Sequence, residues 1–509
     1  MTLGVSSAPM RWLAALMLLA SPCFAQTETP SEFEGTLFRG ISLGAVTPTV
    51  ELQPIPLAER LRPHFFSQNS SPESAPPVAS PPKRFWTAAG EMVLLEVLPW
   101  AYNRYIADEP FARISWHTVS ENFKAGFGFD SDNFNINQSQ HPYHGSLFFE
   151  AGRSNGYDYW ESGLFTLAGS FIWECCMENT QPAWNDLVNT TLGGMTRGEV
   201  SHRLATVILD NTASGSDRFW RELGAAVINP VGALSRLVHG DMTRDFPNPE
   251  ERYPDGFAVS TEVGYRRVDL PAGTLDQALV SLSARYGDPF AGDIVKPFDS
   301  FWAGLDLTFP KGSTISRLEE RGILKGWELT DNTATVRHIF GFSQEYEYIN
   351  NASQVFGAQL LGAGLLSRYK LSESLFLVSD TDVLAAPLAG IQTTNFESPQ
   401  TGRNYDYGPG GGLRAAVRFF GGGQEYMAVG YGVLWEHTVN GVSENNTLQF
   451  FRANGHVPIT DVLGVGGGWW WYSRQTTYTR FAEVRRTQSE WRLFLSVSFG
   501  RSGLRMPKV

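Results

Sequence analysis

Cysteine is almost missing from this chain. Three occur in 509 residues, too few for a disulfide framework. Cys23 sits in the leader described below. Cys175 and Cys176 are adjacent, and adjacent helical cysteines point apart, so a bond between them would be strained. Both read as small buried residues. Long apolar runs are missing too. After the leader no segment reaches the ~18 uncharged apolar residues of a spanning helix. Leu164 to Met177 comes nearest, and Glu174 interrupts it. That argues against a helical inner-membrane protein. Positive charge is in deficit: 40 Lys and Arg face 52 Asp and Glu, for a net charge of -12. A nucleic-acid partner calls for a basic patch, and none is expected here.

What is present begins with an export signal. Arg11 precedes an apolar run from Trp12 to Ala20, and Cys23-Phe24-Ala25 stands before Gln26. This is a charged start, an apolar stretch and a small-residue cleavage site. Residues 1–25 therefore read as a signal peptide cleaved after Ala25. Pro22 before Cys23 argues against a lipoprotein site. Residues 26–84 read as a disordered linker rich in Pro and Ser, as in Ala75-Pro76-Pro77-Val78-Ala79-Ser80-Pro81-Pro82. Such a stretch cannot bury enough apolar surface to order itself. A short plug-like piece around Thr36 to Thr47 is left open.

Residues 85–245 carry a helical period. Helices are predicted from Trp86 to Tyr105, from Trp160 to Asn179, from the Asn185 or Asp186 cap to Asp210, from Ser216 to Asn229 and from Ala233 to His239. Gly193, Gly194 and Gly198 loosen the third of these. Polar chemistry concentrates on these apolar helices. Glu174, Glu178, Asp186 and Glu199 stand among Trp, Phe, Leu and Ile. Buried charge is costly unless paired or hydrogen-bonded, so each needs a partner.

From Gly256 the period changes to two. Phe301, Ala303, Leu305, Leu307 and Phe309 alternate with Trp302, Gly304, Asp306 and Thr308. The same pattern recurs at Leu413 to Phe419, Met427 to Trp435 and Trp491 to Phe499. Each apolar face is about one membrane strand long, roughly nine to eleven residues. The fold class is α+β. Residues 250–500 form an antiparallel transmembrane β-barrel of about 12 strands, with an N-terminal helical module packed in or against it. Tyr346, Tyr348, Trp435, Trp469 to Tyr472 and Trp491 are expected in interfacial girdles. Gly430, Gly432, Gly464, Gly466 and Gly468 leave space on the inner face, which suits a helical plug. Residues 501–509 form a tail beyond Phe499. A soluble sandwich would also alternate, but the strands are long and fill the C-terminal half without a break.

The motifs His141-Pro142-Tyr143-His144-Gly145-Ser146, Arg153-Ser154-Asn155-Gly156-Tyr157, Trp173-Glu174, Asn185-Asp186-Leu187, Gly193-Gly194 and Gly198-Glu199 occur in that order. Over roughly residues 95–240 the chain resembles a bacterial envelope family catalogued as a domain of unknown function, DUF3943. The resemblance implies an envelope location and no known reaction.

The candidate catalytic groups are Glu174, Glu178, Glu199, His141 and His144. Glu174 and Glu178 are spaced to share a helix face, where like charge raises a pKa. His141 and His144 read as flanking a turn made by Pro142 and Gly145. Glu199 and His202 have the spacing of one half of a di-iron motif, which needs two copies, so no metal is expected. Asn185, Asp186, His202, Arg203 and Arg153 read as a buried polar network that fixes helix packing, with the alternative that Arg153 holds a lipid phosphate. No cofactor is expected. The sequence thus favours a Gram-negative outer-membrane barrel of structural or transport type, in contact with membrane lipid. An outer-membrane enzyme acting on lipid or lipopolysaccharide and a periplasmic binding or scaffold protein are the alternatives, and a lipid or small molecule is the ligand class.

Overall fold

The computed structural model describes residues 82–501 except 311, 331–334, 353, 396–402, 423 and 461. The expected signal peptide, nearly all of the expected linker and the expected tail beyond Arg501 lie outside the described residues. Those described fall in one compact unit, His64–Val509.

The helices come first: α1 Phe85–Tyr105, α2 Trp116–Ala125, α3 His141–Arg153, α4 Tyr159–Ile172, α5 Trp184–Val188, α6 Gly194–Ile208, α7 Gly215–Ile228 and α8 Pro230–Val238. Local chemistry sets several starts. Ser115 with Thr118, and Asp158 with Glu161, form reciprocal caps on α2 and α4. Pro142 and Pro230 occupy the first turns of α3 and α8, where a missing N–H costs nothing. Wider π turns precede α3 at Ile136–Gln140, end α4 at Trp173–Met177, and join α5 to α6 at Asn189–Gly193.

Twelve strands follow: β1 Phe257–Leu270, β2 Gly273–Tyr286, β3 Phe301–Phe309, β4 Ile315–Glu328, β5 Val336–Asn350, β6 Val355–Lys370, β7 Leu375–Gln392, β8 Tyr405–Gly421, β9 Gln424–His437, β10 Ser443–Pro458, β11 Leu463–Tyr478 and β12 Val484–Arg501. Each pairs antiparallel with its sequence neighbours, and β12 returns to β1 from Phe257↔Arg501 to Asp269↔Ser489. The barrel is closed and has no free edge. β1 starts and β12 ends at one rim, the terminal rim. The β1–β2, β3–β4, β5–β6 and β7–β8 connections mark the other, the distal rim.

The two-residue period decides which side chains face the lumen. Asp306 bonds Arg317 at 2.8 Å and Arg492 at 2.8 Å. Glu319 bonds Arg452 at 2.7 Å, Glu345 bonds Arg414 at 2.5 Å, and Arg321 bonds Asp382 at 2.6 Å. All but Asp306–Arg317, which lie on adjacent β3 and β4, join strands that are not neighbours, which only the interior allows. The alternate residues Val263, Phe340, Phe342, Val383, Leu413, Val417, Trp491, Leu493 and Leu495 are exposed on the outer face. The expected sidedness of Val417 and Leu495 holds.

The lumen contains side chains, and the helical plug is not there. Near the distal rim Ile349, Phe356, Ala358, Leu360, Leu384, Ala386, Ala389, Ile391, Leu434 and Leu448 pack into an apolar core. Toward the terminal rim a cavity of about 430 Å³ is bounded by Arg285, Arg317, Glu345, Arg414, Glu425 and Arg492 among others. The inner glycines make room for lumen side chains rather than for a helix. A Cβ on Gly432 would strike Phe450, one on Gly466 would strike Phe494, and one on Gly468 would strike Asn454.

The helices instead pack against the outside of the wall. Gln344, Tyr346 and Tyr348 share the outward parity of exposed Phe340 and Phe342, yet they are buried. Tyr346 and Tyr348 are therefore covered by the module and do not belong to a girdle. Trp470 is no belt residue either, since it faces inward with the Arg492 guanidinium 3.5 Å from its ring centroid. Phe301, expected against lipid, is buried with Tyr286, Phe298, Phe149 and Tyr159.

Candidate functional site

Many of the polar residues that the helices bury gather at the seam between module and wall, while others, such as Glu91 with Asn155 and Ser235, bond within the module. The seam has two centres, one at each rim.

At the distal rim, the loop before α3 meets α5 and β8. The Asp130 carboxylate accepts from Asn137 at 2.8 Å and from Asn185 at 2.7 Å, and its N–H donates to Asn185 Oδ1 at 3.1 Å. Asn185 also donates to Asp186 at 2.7 Å. Asn185 and Asp186 lie inside α5, whose N-cap is Ala183, so neither caps that helix. The start is held by Glu174, which accepts the Ala183 N–H at 2.9 Å. Glu174 belongs to the π turn that ends α4, and Glu178 follows in extended backbone. The two do not share a helix face. Glu178 accepts from Trp173 Nε1 at 2.5 Å and from Thr180 at 3.0 Å.

His141 and His144 sit on α3, not beside a turn. Gly145 is there for contact: a Cβ would lie 1.9 Å from the Thr190 carbonyl oxygen and 3.0 Å from Gly194 Cα. His141 lies between two partners. Thr190 Oγ1 is 3.2 Å from Nδ1, and Asp186 Oδ1 is 3.4 Å from Nε2. His144 meets the Leu95 carbonyl at 3.2 Å and packs edge-on to Trp173. Burial lowers both imidazoles, His144 to about 4. Burial raises Glu174 and Asp186 well above the ordinary carboxylate range, and it raises Glu178 to about 7. Nearby carboxylates add to each shift. The wall completes this centre. Asn137 donates to Tyr405 Oη at 2.8 Å, Gln138 to Tyr407 Oη at 3.3 Å, and Arg403 to the Asp130 carbonyl at 2.9 Å.

Toward the terminal rim, Glu199 on α6 is held by three charge-assisted bonds: Arg153 at 2.7 and 3.1 Å, and Arg203 at 2.8 Å. Burial pushes its carboxyl up, but Arg153 and then Arg203 hold it down at about 2. Arg203 goes on to Asp299 at 3.0 Å, Tyr286 Oη at 3.3 Å and the Pro297 carbonyl at 2.8 Å. It thus fastens α6 to the β2–β3 connection. His202 pairs with Glu150 at 3.3 Å, away from Glu199, so the Glu-x-x-His spacing does not gather one site. Among the described residues no three His, Cys, Asp or Glu side chains come together as a metal site.

The sequence reading gives no site role to several seam residues: Asp130, read as a turn residue, and Asn137, Gln138, Thr190, Gln344, Tyr405 and Tyr407. One signal was available. Gln344, Tyr346 and Tyr348 continue the face of Phe340 and Phe342, and a glutamine in that row breaks a lipid-facing pattern.

A closed antiparallel barrel with an even strand number, a charged lumen and an apolar outer belt has the architecture of an outer-membrane barrel protein. Residues 126–231 match the family described as "Domain of unknown function (DUF3943)", the family the motifs resembled. The match runs from the loop before Asp130 into α8 and so contains the module side of the seam. No curated protein matches the chain. Among solved structures, the KdgM porin in complex with disordered oligogalacturonate is 11% identical, with 47% of this chain and 99% of that one covered at a TM-score of 0.20. The NanC porin is 11% identical, with 47% and 98% covered at 0.25. The Pseudomonas putida toluene transporter TodX is 9% identical, with 49% and 90% covered at 0.21. At these scores the assignment rests on the strands themselves.

Proposed function

We propose that the chain is an outer-membrane barrel with a structural type of envelope role, in which the barrel is the rigid wall that carries the helical module. The supporting observation is the outward band of Gln344, Tyr346, Tyr348, Tyr405 and Tyr407. These residues are buried under the helices and bonded to them. A surface meant only for lipid has no use for such groups. The apolar core near the distal rim speaks against the transport-type alternative, because a water-filled path would have to pass through it. The lumenal cavity is the place for any small-molecule ligand. The chain should partition with outer membranes, migrate in a heat-modifiable way on gels, and give no steady conductance in planar bilayers. Recovery from the soluble periplasmic fraction, or a constant open-channel current, would defeat this reading.

One observation favours a second reading, acid–base chemistry on membrane lipid. Thr190 and Asp186 occupy opposite nitrogens of His141, an order in which imidazole can take a hydroxyl proton while a carboxyl group orients it. Glu199 and His144 do not fit that role, being fixed by arginines and by backbone and rings. Reconstituted chain should then turn over phospholipid or lipopolysaccharide, and Thr190→Val should stop it while leaving gel migration unchanged. Absence of turnover by the parent chain ends this reading.

A further inference from the structure

The module is built inside out. On α4, Ser162, Thr166 and Ser170 form one buried stripe, while Trp160, Leu164, Leu167 and Phe171 form the exposed one. Leu164 is 66% exposed, whereas Ser162 and Thr166 are at 0%. On α1 the charged Glu91 and Glu96 are buried, while Trp86, Val93, Leu94, Val97 and Leu98 are exposed. Phe219, Trp220 and Val227 on α7 and Leu237 and Val238 on α8 extend the apolar exterior. A helix in water buries its apolar stripe and wets its polar one. Here both are reversed.

The module also runs the height of the wall. At the terminal rim Arg203 bonds Asp299 and the Pro297 carbonyl in the β2–β3 connection. At the distal rim Arg403, at the end of the β7–β8 connection, donates to the Asp130 carbonyl. Between them Tyr159 bonds Gln344, and Gln344 bonds the Leu192 carbonyl, both on the outer face of β5. A body fastened near both rims on the outside of a membrane barrel lies at the depth of the bilayer. Its apolar exterior then continues the belt of Phe340, Phe342, Val383 and Leu413 on the same wall. Helix contacts within the module use small residues, as close packing in lipid does: Gly145 on Gly194, Gly152 on Ser162, and Gly169 on Phe148. No described helix is long and apolar enough to cross a membrane. The helices need not cross alone, because their polar faces turn toward one another and the wall rather than toward lipid.

We infer that the outward face of the helical module is a lipid interface, seated among the acyl chains beside the barrel with its polar residues turned to the module interior and the seam. This rests on the membrane reading of the barrel. The test uses the full chain with Cys23, Cys175 and Cys176 replaced by alanine and refolded into phosphatidylcholine vesicles. Nitroxide labels go singly at Leu98→Cys, Leu164→Cys, Leu413→Cys on the wall, and Glu373→Cys in the β6–β7 turn. Collision with a multiply charged chromium complex should be at least about tenfold lower at 98, 164 and 413 than at 373, since such an ion is excluded from hydrocarbon. Collision with oxygen should rise at the same three positions. If 413 is shielded while 98 and 164 meet the complex, the module faces water and the inference fails although the barrel reading stands. If 413 meets it too, both fail. Spin–spin broadening at 98 or 164 would mean that a second copy covers the face, which also overturns the inference. Two module positions are labelled so that a variant which does not refold leaves the other to decide.

Discussion

Arg203→Met isolates the fastening between module and wall. The guanidinium makes four hydrogen bonds, to Glu199, Asp299, Tyr286 and the Pro297 carbonyl, and only 2% of the residue is exposed. Methionine keeps much of the volume and none of the donors. Removing one partner of a buried ion pair costs about 3–5 kcal/mol, because the other charge is left uncompensated. Glu199 retains its two-bond contact with Arg153, which places the cost near the lower end, about 3 kcal/mol. At 1.4 kcal/mol per tenfold, amide exchange limited by local opening should quicken roughly 100-fold. The assay is hydrogen exchange by mass spectrometry in detergent micelles. Peptides from α6 and from the β2–β3 connection should respond together, while the β8 to β11 ladders hold. Glu199→Gln added to Arg203→Met should not add its full separate cost, because the two residues act on one network. Exchange in α6 unchanged within about threefold would refute the argument, since a buried cation with four partners cannot be lost silently. So would uniform acceleration across the whole barrel, which would mean that the fastening supports the wall and not the seam.

Three further outcomes follow from the same geometry. Tyr346→Phe and Tyr405→Phe each remove a hydroxyl that joins module to wall; each should cost about 1 kcal/mol, and the pair should release peptides spanning 130–140 in exchange experiments before any strand opens. Phe356→Ala with Leu360→Ala hollows the apolar core near the distal rim; each truncation costs about 2–5 kcal/mol, and bilayer recordings should show transient current where the parent shows none. Burial raises Glu178 to about 7, so folding favours its protonated form. That stability is complete below the open-chain value of about 4.3 and is lost as pH rises through about 7. Between about pH 4.5 and 7, exchange of residues 173–183, corrected for intrinsic rate, should therefore accelerate and then level off, and Glu178→Gln should flatten the dependence.

Strand content could be read from the chain because alternation is local. Val417 beside Arg418, or Leu413 beside Arg414, declares two faces within two residues, and the lumen pairs of both arginines agree. The family motifs were equally local, and the family match falls on the same stretch. What alternation leaves open is which surface covers a face. A tyrosine at a lipid–water boundary and a tyrosine under a helix look alike in sequence. Tyr346 is assigned by its bond to the Gln138 carbonyl, a partner that no window around either residue contains. The inner glycines misled for the same reason: the occupant of the space beside Gly432 is Phe450, one strand away. His141 and His144 read as flanking a turn because Pro142 and Gly145 are turn residues. Pro142 suits the first turn of α3 as well, and Gly145 answers to the backbone of Thr190 and Gly194. Proline and glycine state a backbone constraint without saying which element imposes it.

The same limit explains why the acidic residues seemed to demand a partner that the sequence did not show. Glu174 accepts the N–H of Ala183, nine residues on and just before α5, Glu199 is held by Arg153 of α3, and Asp186 turns toward His141. Each is satisfied by another part of the module or shielded beneath the wall. That arrangement favours a polar interior with an apolar outside. In water the cost would be a large exposed apolar surface with no offsetting gain. Beside a barrel in lipid the same surface costs nothing, and the polar seam becomes the force that keeps the module docked, because pulling it from the wall would expose Asp130, Asn137, Gln344 and Tyr405 to hydrocarbon. The polar seam and the apolar exterior are thus one property of the chain: each requires the other, and both require the wall.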